Sequence, residues 1–190
     1  MVPGVQMAPL PAALGGRGLV AWRLERTRYR TTWQSAEGAY LVGGRWSSRG
    51  RRVLYASLDP STTVVEVAVH KGFHVLDTVP HTLLSLEVDP AGVHVVQPDD
   101  VPNPHWLSPG TVSVGQQRFG DALLDRHALV VVPSVVSARS WNLLIHVEAA
   151  AGRFRLRHEE RFALDTRLNA PATAAPAPPT APPPAESAHR

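Results

Sequence analysis

GGRWSSRGRRVLYASLDPSTTVVEVAVH, residues 43–70, holds the plainest structural signals of the chain. It strings three local instructions together. Gly43-Gly44 lets the backbone turn sharply or approach a ligand closely. Arg45 and Trp46 follow at once, pairing a phosphate fork with an aromatic stacking surface. Val53–Ser57 then alternates as a strand does. Ser57-Leu58-Asp59-Pro60 starts a helix, because Asp59 can cap it and Pro60 suits its first turn. That helix is expected to run to about Lys71, where Gly72 stops it. A glycine-rich loop, a strand and an apolar helix in this order describe a site carried on an α+β frame. A plain glycine-bent hairpin with Arg45 on the surface is the other reading. The Gly-Lys-Ser/Thr ending of a P-loop is absent, and so is the dinucleotide GxGxxG.

Working outward, Leu19–Leu24 reads as a first strand and Arg26–Ser35 as a polar loop dotted with aromatics. Gly38–Gly50 is rich in glycine. Beyond the helix, His81–Val88 and Val93–Gln97 read as strands, and residues 98–112 as a Pro/Asn/Gly loop. Val114–Arg126 reads as a helix, and Ala128–Val132 as a buried strand ended by Pro133. Asn142–Val147 and Arg153–Leu156 supply two more strands. The expected class is α+β, with mixed sheets and packed helices. Residues 1–16 are Gly/Pro/Ala-rich and expected to be flexible. Residues 170–190 carry seven prolines and no large apolar residue, the composition of a disordered tail. The folded domain is thus expected over residues 17–169.

Composition narrows the function classes. The 190 residues include no cysteine, which excludes disulfides, thiolate catalysis and Cys-ligated zinc, and fits a cytoplasmic, reducing setting. No apolar run reaches the ~18 residues of a membrane span, and the first residues lack the basic n-region of a signal peptide. The net charge of +3 is unevenly spread: residues 17–52 hold nine Arg against Glu25 and Glu37, and residues 53–100 hold Lys71 against seven acids. A basic front half suits phosphate groups.

Within residues 60–76 the only carboxylate is Glu66, flanked by Val64, Val65, Val67, Ala68 and Val69. The helix therefore reads as apolar nearly all round and buried. A charge there needs a partner or a job; a narrow solvent face or half an ion pair is the plainer alternative. Tyr55 lies eleven residues earlier, on the strand leading into this helix, where its ring or hydroxyl can approach the carboxylate. An ordinary core tyrosine is the alternative. Ser134 follows Pro133 at the end of an apolar strand, a place where α/β proteins put ligands. A turn serine is the commoner meaning, and without GxSxG nothing makes it a nucleophile. His70 and His74 are four apart, but Gly72 interrupts them and no third ligand is evident, so no metal is expected.

Taken together, these pieces resemble the RES family. Residues 43–70 resemble its GGRWN…G…YxS…E(V/L)xxH signature, and GDALLDRHALVVVPSVV its GD…L-x-VPS segment. Asn142 resembles the Asn that follows, FALDTRL (residues 162–168) the closing F-x-x-D-x-R-L, and Trp22-Arg23 the opening aromatic–Arg. The resemblance implies an ADP-ribosyltransferase-like fold and the toxin of a type II toxin–antitoxin pair, one that cleaves NAD⁺ at the nicotinamide–ribose bond with water or phosphate as acceptor. NAD⁺ would be substrate, with no cofactor. It implies Arg45, Tyr55, Glu66 and Ser134 as catalytic residues, and Arg23, Gly44, Trp46 and Asn142 as NAD⁺-binding residues. In that scheme Arg45 binds the pyrophosphate with Arg23 in support, Tyr55 orients the nicotinamide ribose end and Ser134 holds a ribose or amide group. It implies an Xre-type antitoxin as partner, with DNA touched only through that partner, and leaves a homodimer open. An ADP-ribosyltransferase acting on a macromolecule and a non-catalytic RES binding module are the competing classes. Two departures stand out. Ser47 replaces the usual Asn after GGRW, and His146-Val147-Glu148-Ala149 replaces Asn-Pro-x-His. The first keeps hydrogen-bonding capacity; the second is expected to reshape a pocket wall or an interface.

Overall fold

In the computed structural model of the protein, residues 18–137 and 139–169 are described. The expected tails, 1–16 and 170–190, lie outside them. Seven strands form one mixed sheet: β1 (Leu19–Arg26), β2 (Val53–Ser57), β3 (His81–Val88), β4 (His94–Val95), β5 (Leu129–Pro133), β6 (Trp141–His146) and β7 (Phe154–Phe162). Four helices accompany it: α1 (Glu37–Val42), α2 (Pro60–Lys71), α3 (Phe73–Thr78) and α4 (Val114–Leu124). The sheet order is β4-β5-β6-β2-β1-β3-β7, antiparallel except for the parallel pair β4/β5. The α+β class is as expected, but the strands make a single sheet rather than several.

That sheet is nearly two. β1 pairs with β3 along its whole length and β2 with β6 along its whole length, yet β1 and β2 share only the pair Trp22↔Ser57. Side chains alternate across each strand, and one set from each half enters a common core. Leu19 and Ala21 of β1 and Leu84, Leu86 and Val88 of β3 pack with Leu54 of β2, Leu129 and Val131 of β5, and Leu143 and Ile145 of β6. One set from each half thus belongs to a single apolar core, while the sheet itself is held together at the β1/β2 seam by one residue pair. The opposite set on the β2/β5/β6 half, Val53, Val130, Val132 and Leu144, is covered by Trp46 and by Leu123 and Leu124 of α4. Leu24 and Leu83 on the other half are covered by Ala68 of α2 and Leu76 of α3.

α2 begins and ends where its sequence says. Asp59 Oδ1 accepts from the Thr62 N–H at 2.8 Å, Pro60 fills the first turn, and Gly72 ends the helix at φ 83°. The expectation that α2 is buried all round is corrected. Thr62, Thr63 and Ala68 are buried, but Val69 is 62 % exposed. One flank is open because the seam beneath it is open. Three further differences have local causes. The glycine-rich segment contains a helix, α1, between Ala36 and Gly43, both at positive φ. Strand β4 keeps only His94–Val95 of the expected five residues, since Val93 closes a turn on Pro90 and Gln97 opens the Pro98 turn. β7 runs to Phe162 instead of stopping at Leu156, because β3 offers it a pairing partner throughout; its charged sequence carries no strand alternation of its own.

Candidate active site

Where β1 and β2 part, a cavity of about 370 Å³ opens, lined among others by Arg23, Glu25, Arg45, Tyr55, Glu66 and Lys71. A larger open depression of about 800 Å³ lies at the far ends of β3 and β7. Its charged groups pair with one another, Arg155 with Glu87 at 2.7 Å and Arg153 with Asp89 at 3.9 Å, so it presents no group free for chemistry.

Glu66 sits on the half-open flank of α2. Ser134 Oγ, from the end of β5, donates to Glu66 Oε1 at 2.9 Å, and Asn142 Nδ2, from the start of β6, donates to the same oxygen. Among the described residues Oε2 receives no hydrogen bond. One carboxylate oxygen is thus fixed by two neutral donors and the other is left for a ligand. Ser134 is itself held, since its Oγ accepts from the Ser137 N–H at 3.1 Å and its residue is only 5 % exposed. On this geometry the Ser134 hydroxyl donates its proton to Glu66 and orients the carboxylate. Asn142 does the same from the neighbouring strand, its own Oδ1 accepting from Ser57.

The glycine loop is built on Tyr55. The Trp46 N–H donates to Tyr55 Oη at 3.1 Å, and the Ser47 and Tyr55 hydroxyls share a hydrogen bond of 2.9 Å. The Tyr55 ring lies so close under Gly44 that a Cβ there would stand 2.4 Å from Oη. Gly44 is therefore needed for close backbone approach to a side chain. Burial, countered in part by its hydrogen bonds to Ser47 and Trp46, pushes the phenol up to about 12. At neutral pH it stays protonated and is no general base. The Asn-to-Ser departure at Ser47 is accommodated, because the serine hydroxyl reaches Tyr55. Trp46 is only 2 % exposed, with its ring edge-to-face on Phe119 at a centroid separation of 6.2 Å.

Helix α4 clamps this loop from outside. Asp121 Oδ1 accepts the Ser48 N–H at 3.0 Å and pairs with Arg51 Nε at 3.1 Å, while Gln117 Nε2 donates to the Gly44 carbonyl at 2.9 Å. A Cβ on Gly120 would meet the Trp46 carbonyl oxygen at 2.0 Å. The Gly-Asp pair noted in the sequence is the seat of the loop.

Arg45 leaves the loop toward the cavity, with Nη2 donating to the Gly110 carbonyl at 3.2 Å. Burial lowers its pKa and the nearby Glu66 carboxylate raises it; the guanidinium stays charged at neutral pH. Arg23 lies on the opposite wall and is already engaged. Its Nη2 and Nε donate to Glu25 Oε2 at 2.6 and 3.2 Å, and Nη1 donates to the Tyr55 carbonyl at 2.9 Å. Glu25 balances its charge, and its fork ties β1 to β2 beside the seam. Lys71 also lines the cavity, its pKa lowered by burial and raised by Glu25.

Sequence reasoning missed Glu25 and Ser137, which hold Arg23 and Ser134 from the same strand or loop, and Gln117 and Asp121, which reach the glycine loop from α4. Only Asp121 carried a signal, the Gly-Asp pair. The altered segment 146–149 forms no wall of the cavity. His146 is at the end of β6 away from Asn142, about 13 Å along the strand, and pairs with Glu148 at 3.4 Å.

Comparison with known proteins fits this geometry. The profile of the RES domain family matches residues 20–165. The chain is similar to "Toxin Res" of Photorhabdus laumondii, with 29% identity over 79% of this chain and 97% of that protein. It is similar to the "Prs ADP-ribosylating toxin" of Sphingobium sp., with 30% identity over 77% of this chain and 94% of that protein. Among solved structures it shares its fold with the M. tuberculosis MbcT–MbcA toxin–antitoxin complex, at a TM-score of 0.56 and 19% identity over 79% of this chain and 90% of that one. The α+β class expected from the sequence is the one found.

Proposed function

The chain belongs to the RES domain family, and from that premise we propose that it is a toxin that destroys NAD⁺ by cleaving the nicotinamide–ribose bond. The observation that carries this reading is the Glu66 carboxylate, fixed through Oε1 by Ser134 and Asn142 and left open at Oε2 on the cavity wall. Departure of nicotinamide builds positive charge on the ribose, an oxocarbenium-like state. A carboxylate oriented before the reaction stabilises that charge without reorganising at the moment of bond breaking. Oε2 also suits a ribose hydroxyl. Arg45 has donors beyond the one spent on Gly110 and supplies the fork for the pyrophosphate. Nicotinamide is already a good leaving group, so the step asks for no metal.

The names of the relatives support a toxin, and the MbcT–MbcA complex supports an antitoxin partner. We read that partner as an Xre-type protein, which would carry any DNA contact, and the site of action as the cytoplasm. The remoteness of residues 146–149 from the cavity favours an active enzyme over a binding-only module. A second reading is favoured by the relative named an ADP-ribosylating toxin: the same bond breaks, but ADP-ribose passes to a macromolecule.

Incubating the purified chain with NAD⁺ alone separates the readings. Release of nicotinamide over many turnovers with no protein acceptor is expected, and running it with and without inorganic phosphate identifies the acceptor. NAD⁺ consumed only when a bacterial lysate is added, with label appearing on protein, would favour transfer. NAD⁺ left intact in both arms by folded protein would overturn the proposal.

A further inference from the structure

We propose that Ser57 is a positioning residue for the Glu66 carboxylate and acts through Asn142. The inference rests on the reading of Glu66 given above. Ser57 is the last residue of β2 and only 3 % exposed. Its backbone lies at the seam, opposite Trp22 on one side and Asn142 on the other. Its Oγ donates to Asn142 Oδ1 at 2.8 Å, and Asn142 Nδ2 donates onward to Glu66 Oε1. The three groups form one directed chain from serine hydroxyl through amide to carboxylate.

The chain has a chemical logic. A carboxamide offers an acceptor at one end and donors at the other, while an ionised carboxylate only accepts. Asn142 therefore helps Glu66 in one of its two orientations. Turned by half a rotation, it would set Oδ1 against Oε1, lone pairs against lone pairs. A donor at the far end selects the productive orientation, and the Ser57 hydroxyl is that donor. Ser134 needs no such help, since the Ser137 N–H already points its Oγ–H at Glu66. The two donors to Oε1 are thus each oriented by a further group, one by a backbone N–H and one by Ser57. This gives the serine of the strand that precedes α2 a role distinct from the hydrogen bonding of its backbone.

The test compares Ser57→Ala and Ser57→Thr with the parent, alone and in an Asn142→Ala background. With NAD⁺ as substrate, Ser57→Ala is expected to lower kcat by about 10- to 100-fold, the scale of one charge-assisted hydrogen bond, with KM little changed. Ser57→Thr, which restores a hydroxyl, should recover most of it. Added to Asn142→Ala, Ser57→Ala should cost little more, because the path is already cut. The side-chain amide signals of Asn142, followed by ¹⁵N NMR in the free protein and assigned by their loss in Asn142→Ala, should move in Ser57→Ala and return in Ser57→Thr. Parent-like kcat with unmoved amide signals in folded Ser57→Ala would overturn the proposal, as would full additivity with Asn142→Ala. The NMR arm needs no turnover. Moved signals in a chain that leaves NAD⁺ intact would support the relay while the NAD⁺ reading fails.

Discussion

At the scale of single residues, Glu66 separates chemistry from architecture. Both of its protein hydrogen bonds go to Oε1. A glutamine keeps an acceptor at that position and loses only the charge. Glu66→Gln is therefore expected to keep the parent melting temperature and NAD⁺ affinity while single-turnover cleavage falls by at least ~10²-fold, the cost of one preorganised electrostatic contact. A structural ion pair predicts the reverse, lower stability with normal turnover, and parent-rate cleavage by folded Glu66→Gln would remove this residue from the mechanism. Arg45 is tested by keeping its charge. Lysine offers a point charge where arginine offers a planar fork, so Arg45→Lys should weaken NAD⁺ binding by about tenfold or more, one charge-assisted hydrogen bond. Unchanged affinity in a titration would show that Arg45 is not the phosphate fork.

At the scale of elements, the loop carrying Arg45 is anchored in the core by Trp46. It is held between the Tyr55 hydroxyl below and α4 outside. The tightest point is Gly120, where any Cβ lands on the Trp46 carbonyl. Backbone atoms cannot swing aside as a side chain can. Gly120→Ala should push α4 off the loop and destabilise the fold by about 3 kcal/mol, the upper part of the range for overpacking. Denaturant unfolding measures this directly; a midpoint equal to the parent's would mean that the helix and loop are not locked together. The same helix buries Trp46, whose ring meets Phe119 of α4 edge-to-face and shares a core cluster with Leu123.

At the scale of the whole molecule, a single residue pair joins the two halves of the sheet beside the cavity. Two histidines outside the cavity lining tie stability to pH. His81 is 1 % exposed, its Nδ1 shares a 2.6 Å hydrogen bond with the Val79 carbonyl, and among the described residues its Nε2 has no partner. Burial holds its pKa below the ordinary value, with Lys71 and Arg26 adding to the effect and the Val79 carbonyl and Glu25 opposing it. His127 shifts the same way, through burial and the stacked His94 ring at 4.3 Å. The unfolded chain then takes up protons first. Their contribution is present in full above the unfolded value of about 6.5 and is lost as pH falls toward the folded one. The melting temperature should drop between about pH 8 and about pH 5, and less steeply in His81→Gln. A parent curve flat over that range would contradict the assignment.

The sequence by itself determined what depends on neighbours along the chain. Asp59, Pro60 and Gly72 set the limits of α2, and the alternation of β2 and the apolar run of β5 set their strands, because caps, turns and side-chain periods are local. The ordered motifs also brought Arg45, Tyr55, Glu66, Ser134 and Asn142 to notice as a set. Only the tertiary structure decided how they act. Glu66 to Ser134 spans 68 positions and Glu66 to Asn142 spans 76, and no periodicity reports contacts at that distance. The length of β7 was decided by β3 and the depth of Trp46 by α4. A strand cannot foresee its partner, nor a charged side chain the burial that selects its role. Those are properties of surfaces brought together by folding.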